Sequence, residues 1–94
     1  MTRVIWTRGA VEDVEAVKAY VARDSVRYAT LLAERIVAAV DRLEAFPESG
    51  RVVPEVGDES LREVVYGAYR IVYRIQAESV QVVTVHHGAR LPGT

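Results

Sequence analysis

An α+β fold in the order β-α-α-β-β-β is predicted by three features of the chain. Apolar residues recur at spacings of three and four through 10–23 and 25–45, the chain after position 60 changes to valine-, isoleucine- and tyrosine-rich runs of strand length, and short turn-forming clusters separate those runs. The expected architecture is a helix hairpin packed on a small, mainly antiparallel sheet. With 94 residues the chain forms one domain, 1–94, because a second hydrophobic core would need a chain nearer ~200 residues. Half of the residues are apolar, which excludes a disordered chain and leaves apolar surface for a partner to cover.

The first strand is Val4 to Trp6, short and β-favouring, with Trp6 as its apolar anchor and Thr7 able to cap a following helix. Ala10, Val14, Val17 and Val21 line one face of a helix over 10–23, and Glu12, Asp13 and Glu15 suit the positive end of its dipole. Asp24 and Ser25 break the pattern and cap a second helix running to about Ala45. Its stripe is Tyr28, Leu32, Ile36, Val40 and Leu43, widened by Ala29, Ala33 and Val37. So tight a junction makes the two helices an antiparallel hairpin. Phe46-Pro47-Glu48-Ser49-Gly50 stops the second helix, and 51–60, with Pro54, Gly57 and Asp58, reads as an ordered loop.

Three strands follow as a meander, Leu61 to Val65, Tyr69 to Gln76 and Val80 to His87. In the middle strand Tyr69, Ile71, Tyr73 and Ile75 point one way, and Arg70, Val72 and Arg74 the other. Tyr69 and Tyr73 therefore belong under the helices. Residues 88–94 form an irregular tail.

Composition removes several functions. The chain has no cysteine, which excludes a disulfide framework and a thiolate metal site, and the adjacent His86 and His87 do not complete a zinc site. No metal or cofactor is expected. The chain has no apolar run of membrane-spanning length and no signal-peptide core, so it reads as a soluble, cytoplasmic protein without a membrane partner. A net charge of -1 argues against a general nucleic-acid coat. The GxSxG, Walker, HExxH and GxGxxG patterns are all missing.

What remains is a late basic cluster. From Ser60 onward Arg62, Arg70, Arg74 and Arg90 face only Glu63 and Glu78 among acids, and His86 and His87 end the last strand. Arg70 and Arg74 share a strand face about 13 Å apart. Arginine forks hold phosphates and histidine exchanges protons near neutral pH, so the set has the parts for metal-independent phosphodiester cleavage through a ribose 2′-hydroxyl. Alternatively, such arginines are solvated or paired with acids such as Glu63. Adjacent strand residues face opposite ways, so one histidine at most serves a given site. Tyr66, at a turn beside Gly67, is a candidate for exposed stacking or acid-base work. Glu48 and Glu55 flank the loop without forming a catalytic pair.

The chain resembles the RelE/ParE superfamily, toxins of bacterial type II toxin-antitoxin modules. The resemblance is carried by the strand ending in Trp6, Ala10-Val11-Glu12-Asp13-Val14, Tyr20-Val21-Ala22-Arg23-Asp24, Phe46-Pro47-Glu48-Ser49-Gly50-Arg51, Leu61-Arg62-Glu63, Tyr69-Arg70-Ile71-Val72-Tyr73 and Val85-His86-His87-Gly88-Ala89-Arg90. It implies a growth-inhibiting toxin neutralised by a cognate antitoxin. It implies two targets, the ribosome with its mRNA for RelE-like members and DNA gyrase for ParE-like ones. On the nuclease alternative the resemblance makes Arg70 the phosphate-contacting residue, with His87 and Arg90 as imperfect catalytic substitutes. Arg62, Tyr66, Arg74 and His86 are target-binding candidates whichever target applies. The low net charge and the acidic first helix gain little from a field of rRNA phosphates, which favours gyrase. An inactive interaction module with the same fold is the third expectation.

Overall fold

The computed structural model describes residues 2–88, in which the expected elements occur in the expected order with one short strand added. They are β1 (Arg3–Trp6), α1 (Arg8–Ala22), α2 (Val26–Asp41), β2 (Arg51–Val52), β3 (Leu61–Tyr66), β4 (Tyr69–Ile75) and β5 (Ser79–His87). The sheet order is β1-β5-β4-β3-β2. β1 pairs parallel with β5 and the other pairings are antiparallel.

The helix hairpin covers one face of this sheet. Leu32, Ile36 and Val40 of α2 and Ala10 of α1 are buried against Ile71 of β4 and Val82 and Val85 of β5, with Val4, Trp6, Val14, Val17 and Val21 packed around them. The buried row on α2 is Ala29, Leu32, Ile36 and Val40. At 3.6 residues per turn Tyr28 and Val37 lie on either side of it, about 80–100° from its centre. Both are exposed, which corrects their expected place on the apolar stripe. α2 also stops earlier than expected: Arg42–Glu44 tighten into a 3₁₀ turn that carries Leu43 into a second cluster with Tyr73 and Val80.

Side-chain bonds fix the helices to the sheet. The Thr7 hydroxyl accepts from the Ala10 N–H at 3.1 Å, capping α1, and donates to the Val82 carbonyl at 2.8 Å. Because α1 begins at Arg8, its acids fall beyond the first turn and do not serve the dipole as expected. Asp13 instead crosses to β5, where its Oδ2 accepts from the Thr84 hydroxyl at 2.8 Å and the Val85 N–H at 3.0 Å. That is where the β4–β5 register shifts, Val72 facing Thr84 and Tyr73 facing Val82, with Val83 left extra.

The turn after α2 is held from inside the core. The Tyr73 hydroxyl donates to the Pro47 carbonyl at 2.7 Å and accepts from the Gly50 N–H at 3.0 Å. A Cβ on Gly50 would come within 2.7 Å of both that hydroxyl and the Glu63 carbonyl, so the close approach needs glycine. Past Gly50 the chain pairs as β2 with Glu63 and Arg62 of β3, a strand hidden in the segment expected to be loop throughout.

Candidate functional site

The site is built on the sheet face opposite the helices. Strand alternation sends Tyr69, Ile71 and Tyr73 into the core and turns Arg70, Val72 and Arg74 outward, as expected. Residues 53–60 cross this outer face. Val53 is buried there, and its N–H donates to the Leu61 carbonyl at 3.1 Å. Between the crossing segment and the sheet lies a cavity of about 360 Å³, walled by Val53, Leu61, Val72 and Val83 and bordered by Arg70, Arg74 and His86.

Arg70 is buried and fully engaged. Its Nε donates to Glu63 Oε1 at 2.6 Å, and its Nη2 lies 2.6 Å from the same oxygen. Nη1 and Nη2 grip both oxygens of Glu55 at 2.9 and 2.7 Å, a bidentate pair. Glu63 has no exposed side-chain surface, and Arg51 holds its other oxygen, with Nε donating to Oε2 at 2.6 Å. The contact with Arg70, followed by the Glu55 backbone N–H, lowers the Glu55 carboxyl pKa from 4.5 to about 2. The bonds from Glu55 and then Glu63 push Arg70 upward, so the guanidinium is permanently charged.

Arg74 is half-exposed. Its Nη1 donates to the Ser60 hydroxyl at 3.0 Å and lies 3.6 Å from Asp58 Oδ2. Asp58 is itself held by the Ser60 N–H and hydroxyl at 2.9 and 2.8 Å, and these bonds lower its pKa. Arg62 leaves from the other side of β3, donating to the Glu59 and Gly50 carbonyls at 3.1 Å each, with Glu48 at 3.9 Å. Among the described residues the late basic cluster is therefore balanced: Arg51, Arg62, Arg70 and Arg74 meet Glu48, Glu55, Asp58 and Glu63.

The histidines divide as strand geometry requires. His86 stands opposite Arg70 in the β4–β5 register and faces the cavity. Both of its ring nitrogens are buried, and among the described residues neither has a hydrogen-bond partner. Burial, and then the Arg70 charge, lower its pKa, so the neutral ring is favoured. His87 stands opposite Tyr69 and meets that ring edge-on at 5.8 Å, and it also borders a depression at the strand end that Arg51 and Arg70 flank.

Arg70, Arg74 and His86 are thus the sequence-selected residues that share the cavity. His87 stands at the end of the sheet, Arg62 braces the turn, and Tyr66 is half-buried with part of its side chain packed against the core. Arg90 lies outside the described residues. Glu55 and Arg51 were missed as partners of the arginine cluster. Alternation along β3 and β4 could have paired Glu63 with Arg70, but no periodic signal announces a partner from an irregular segment such as Glu55. Among the described residues no group of three or more histidine, cysteine or acidic side chains could hold a metal ion, and no helix is long and apolar enough to cross a membrane.

Residues 4–92 match the family model described as the ParE toxin of type II toxin-antitoxin system, parDE. "Toxin RelE2" of Caulobacter vibrioides is 36% identical over 92 residues, covering 97% of this chain and all of that one. "Putative toxin Y4kP" of Sinorhizobium fredii is 36% identical over 87 residues, 90% of this chain and 86% of that one. Among solved structures, a chain of the chromosomal ParDE system of P. aeruginosa aligns with a TM-score of 0.75 at 21% identity, over 93% of this chain and 96% of that one. A chain of the RelBE2 toxin-antitoxin complex of Mycobacterium tuberculosis aligns with a TM-score of 0.53, also at 21% identity, over 92% and 96%. These last two likenesses are of fold.

Proposed function

Since the chain belongs to the ParE toxin family of type II toxin-antitoxin systems, we propose that it restrains growth by binding DNA gyrase and that a cognate antitoxin neutralises it. The observation that carries the choice of target is the state of Arg70. Cleavage of mRNA needs a cation free to meet the scissile phosphate and a proton acceptor beside the attacking hydroxyl. Here the guanidinium that would do the first is held by two carboxylates at 2.6–2.9 Å. His86, the histidine on the same face, has both ring nitrogens buried and is held toward its neutral form, and His87 stands against Tyr69. A toxin that acts by docking needs neither group in action.

Charge supports the same choice. The whole chain carries -1, and Arg51, Arg70 and Arg74, which might have offset this locally, are paired with acids. A surface so balanced gains little from the counterion release that drives binding to rRNA. It is compatible with a protein target, where complementary contacts rather than net charge set affinity.

Protection by an antitoxin is supported by the exposed apolar residues of the hairpin, Tyr20, Val26, Tyr28, Leu31 and Val37. The two solved structures named above come from toxin-antitoxin systems. Inducible expression with parallel readouts of translation and DNA damage tests the function. The expected result is a DNA-damage response with protein synthesis continuing through its onset, the damage response being suppressed when the antitoxin is co-expressed. Immediate arrest of translation with cleaved mRNA would instead support the ribosome-directed alternative, which the shared face of Arg70, Arg74 and His86 keeps specific.

A further inference from the structure

Segment 53–60 holds two of its three acids, Glu55 and Asp58, against the two outward arginines of β4. Glu55 grips Arg70 with both oxygens and Asp58 approaches Arg74 to 3.6 Å. Between them in sequence, Val56 stands at the mouth of the apolar cavity. The order acid, apolar residue, glycine, acid thus runs along a strip whose own order is arginine, valine, arginine, Arg70, Val72 and Arg74. This segment sits on the strip as a bound peptide would.

Its attachment is lighter than that of the network beneath it. Glu63 is wholly buried, whereas the side chains of Glu55 and Asp58 are 39% and 49% exposed and Val56 is 58% exposed. Backbone bonds within the segment are local: the Val56 and Gly57 N–H groups both donate to the Val53 carbonyl, at 3.1 and 2.9 Å. Lifting residues 55–58 would leave the buried Arg51–Glu63–Arg70 pairing in place. It would also take two carboxylates off the strip, leaving Arg74 without its acid and Arg70 with Glu63 alone, about 13 Å apart along β4.

From this complementarity we propose that residues 55–58 are an internal occupant of a peptide-docking strip on the outer face of β4. The external ligand they mimic is an extended protein segment with two carboxylates flanking a bulky apolar residue. The carboxylates replace Glu55 on Arg70 and Asp58 on Arg74, and the apolar side chain fills the cavity that Val56 only borders. Valine walls favour a peptide over a polynucleotide, whose phosphates would use the arginines but not the apolar cavity. This inference concerns a binding site and is independent of gyrase as the target.

The probe is a fluorescein-labelled synthetic peptide with the central order glutamate, leucine, glycine, aspartate, titrated by anisotropy against the full chain. The double variant E55Q/D58N, checked for an unchanged circular-dichroism spectrum, should bind it at least ~10-fold more tightly than the wild type, because a competing internal occupant lowers apparent affinity by the fraction of open molecules. Adding R74E should remove that gain. In the wild type, saturating peptide should speed hydrogen exchange at the Val56 and Gly57 amides, a readout that still decides if the double variant fails to fold. Equal affinity of the wild type and a folded double variant, unchanged exchange at those amides, or tighter binding of single-stranded RNA than of the peptide would each overturn the proposal.

Discussion

Arg70 shows how an arginine that looks available from sequence becomes structural. Its two carboxylate partners neutralise it, and Glu63, wholly buried, depends on Arg70 and Arg51 for compensation. Replacing Arg70 by methionine should therefore destabilise the fold by about 3 kcal/mol, the scale of a broken buried pair, measured by urea unfolding. Tyr73→Phe removes the bonds to Pro47 and Gly50 and should cost about 1–2 kcal/mol in the same experiment. His86 gives a pH signature. Its folded pKa lies below 6.5, so in that window the unfolded chain binds more protons. Its stabilising contribution is full above 6.5 and is lost as pH falls through the folded pKa. Wild type minus H86Q, followed as melting temperature from pH 7.5 to 5, should decline with falling pH; a flat difference would contradict the buried neutral ring. Glu55, lowered to about 2, contributes fully above 4.5 and loses its effect only as pH falls toward 2.

Elements are positioned by a few side-chain bonds that no periodicity reveals. Thr7 was legible as a cap, and it also ties α1 to β5 through the Val82 carbonyl. Thr7→Ala should cost about 1 kcal/mol for the cap alone. Asp13 was legible only as a helix acid, because its partners at the Thr84–Val85 irregularity lie more than seventy residues away. Strand alternation in β4 assigned every outward and inward residue, since a period of two leaves no choice once one face is buried. It also separated His86 from His87. The α2 stripe was placed less well: Tyr28 and Val37 extend the apolar pattern but lie too far round the helix to reach the sheet. The two-residue β2 escaped notice because nothing in Arg51–Val52 differs from a loop until β3 lies beside it. Glu55 was hidden for the same reason.

For the whole molecule, the distribution of charge matters more than its total. An acidic α1 and a basic late sheet suggested a polarised surface, but acids from 48–63 return to that sheet and neutralise it pair by pair. The apolar residues left exposed on the hairpin then become the more distinctive surface. An antitoxin that covers them should stabilise the chain by mass action, by about 2.7 kcal/mol at a hundredfold excess over its dissociation constant, visible as a concentration-dependent rise in melting temperature. The most direct test of the central claim uses purified toxin with DNA gyrase, relaxed plasmid and ATP. Docking on gyrase predicts loss of supercoiling and accumulation of cleaved DNA with gyrase attached, both reversed by antitoxin. Unchanged supercoiling with no cleaved complex, alongside cleavage of ribosome-bound mRNA by the same preparation, would contradict it.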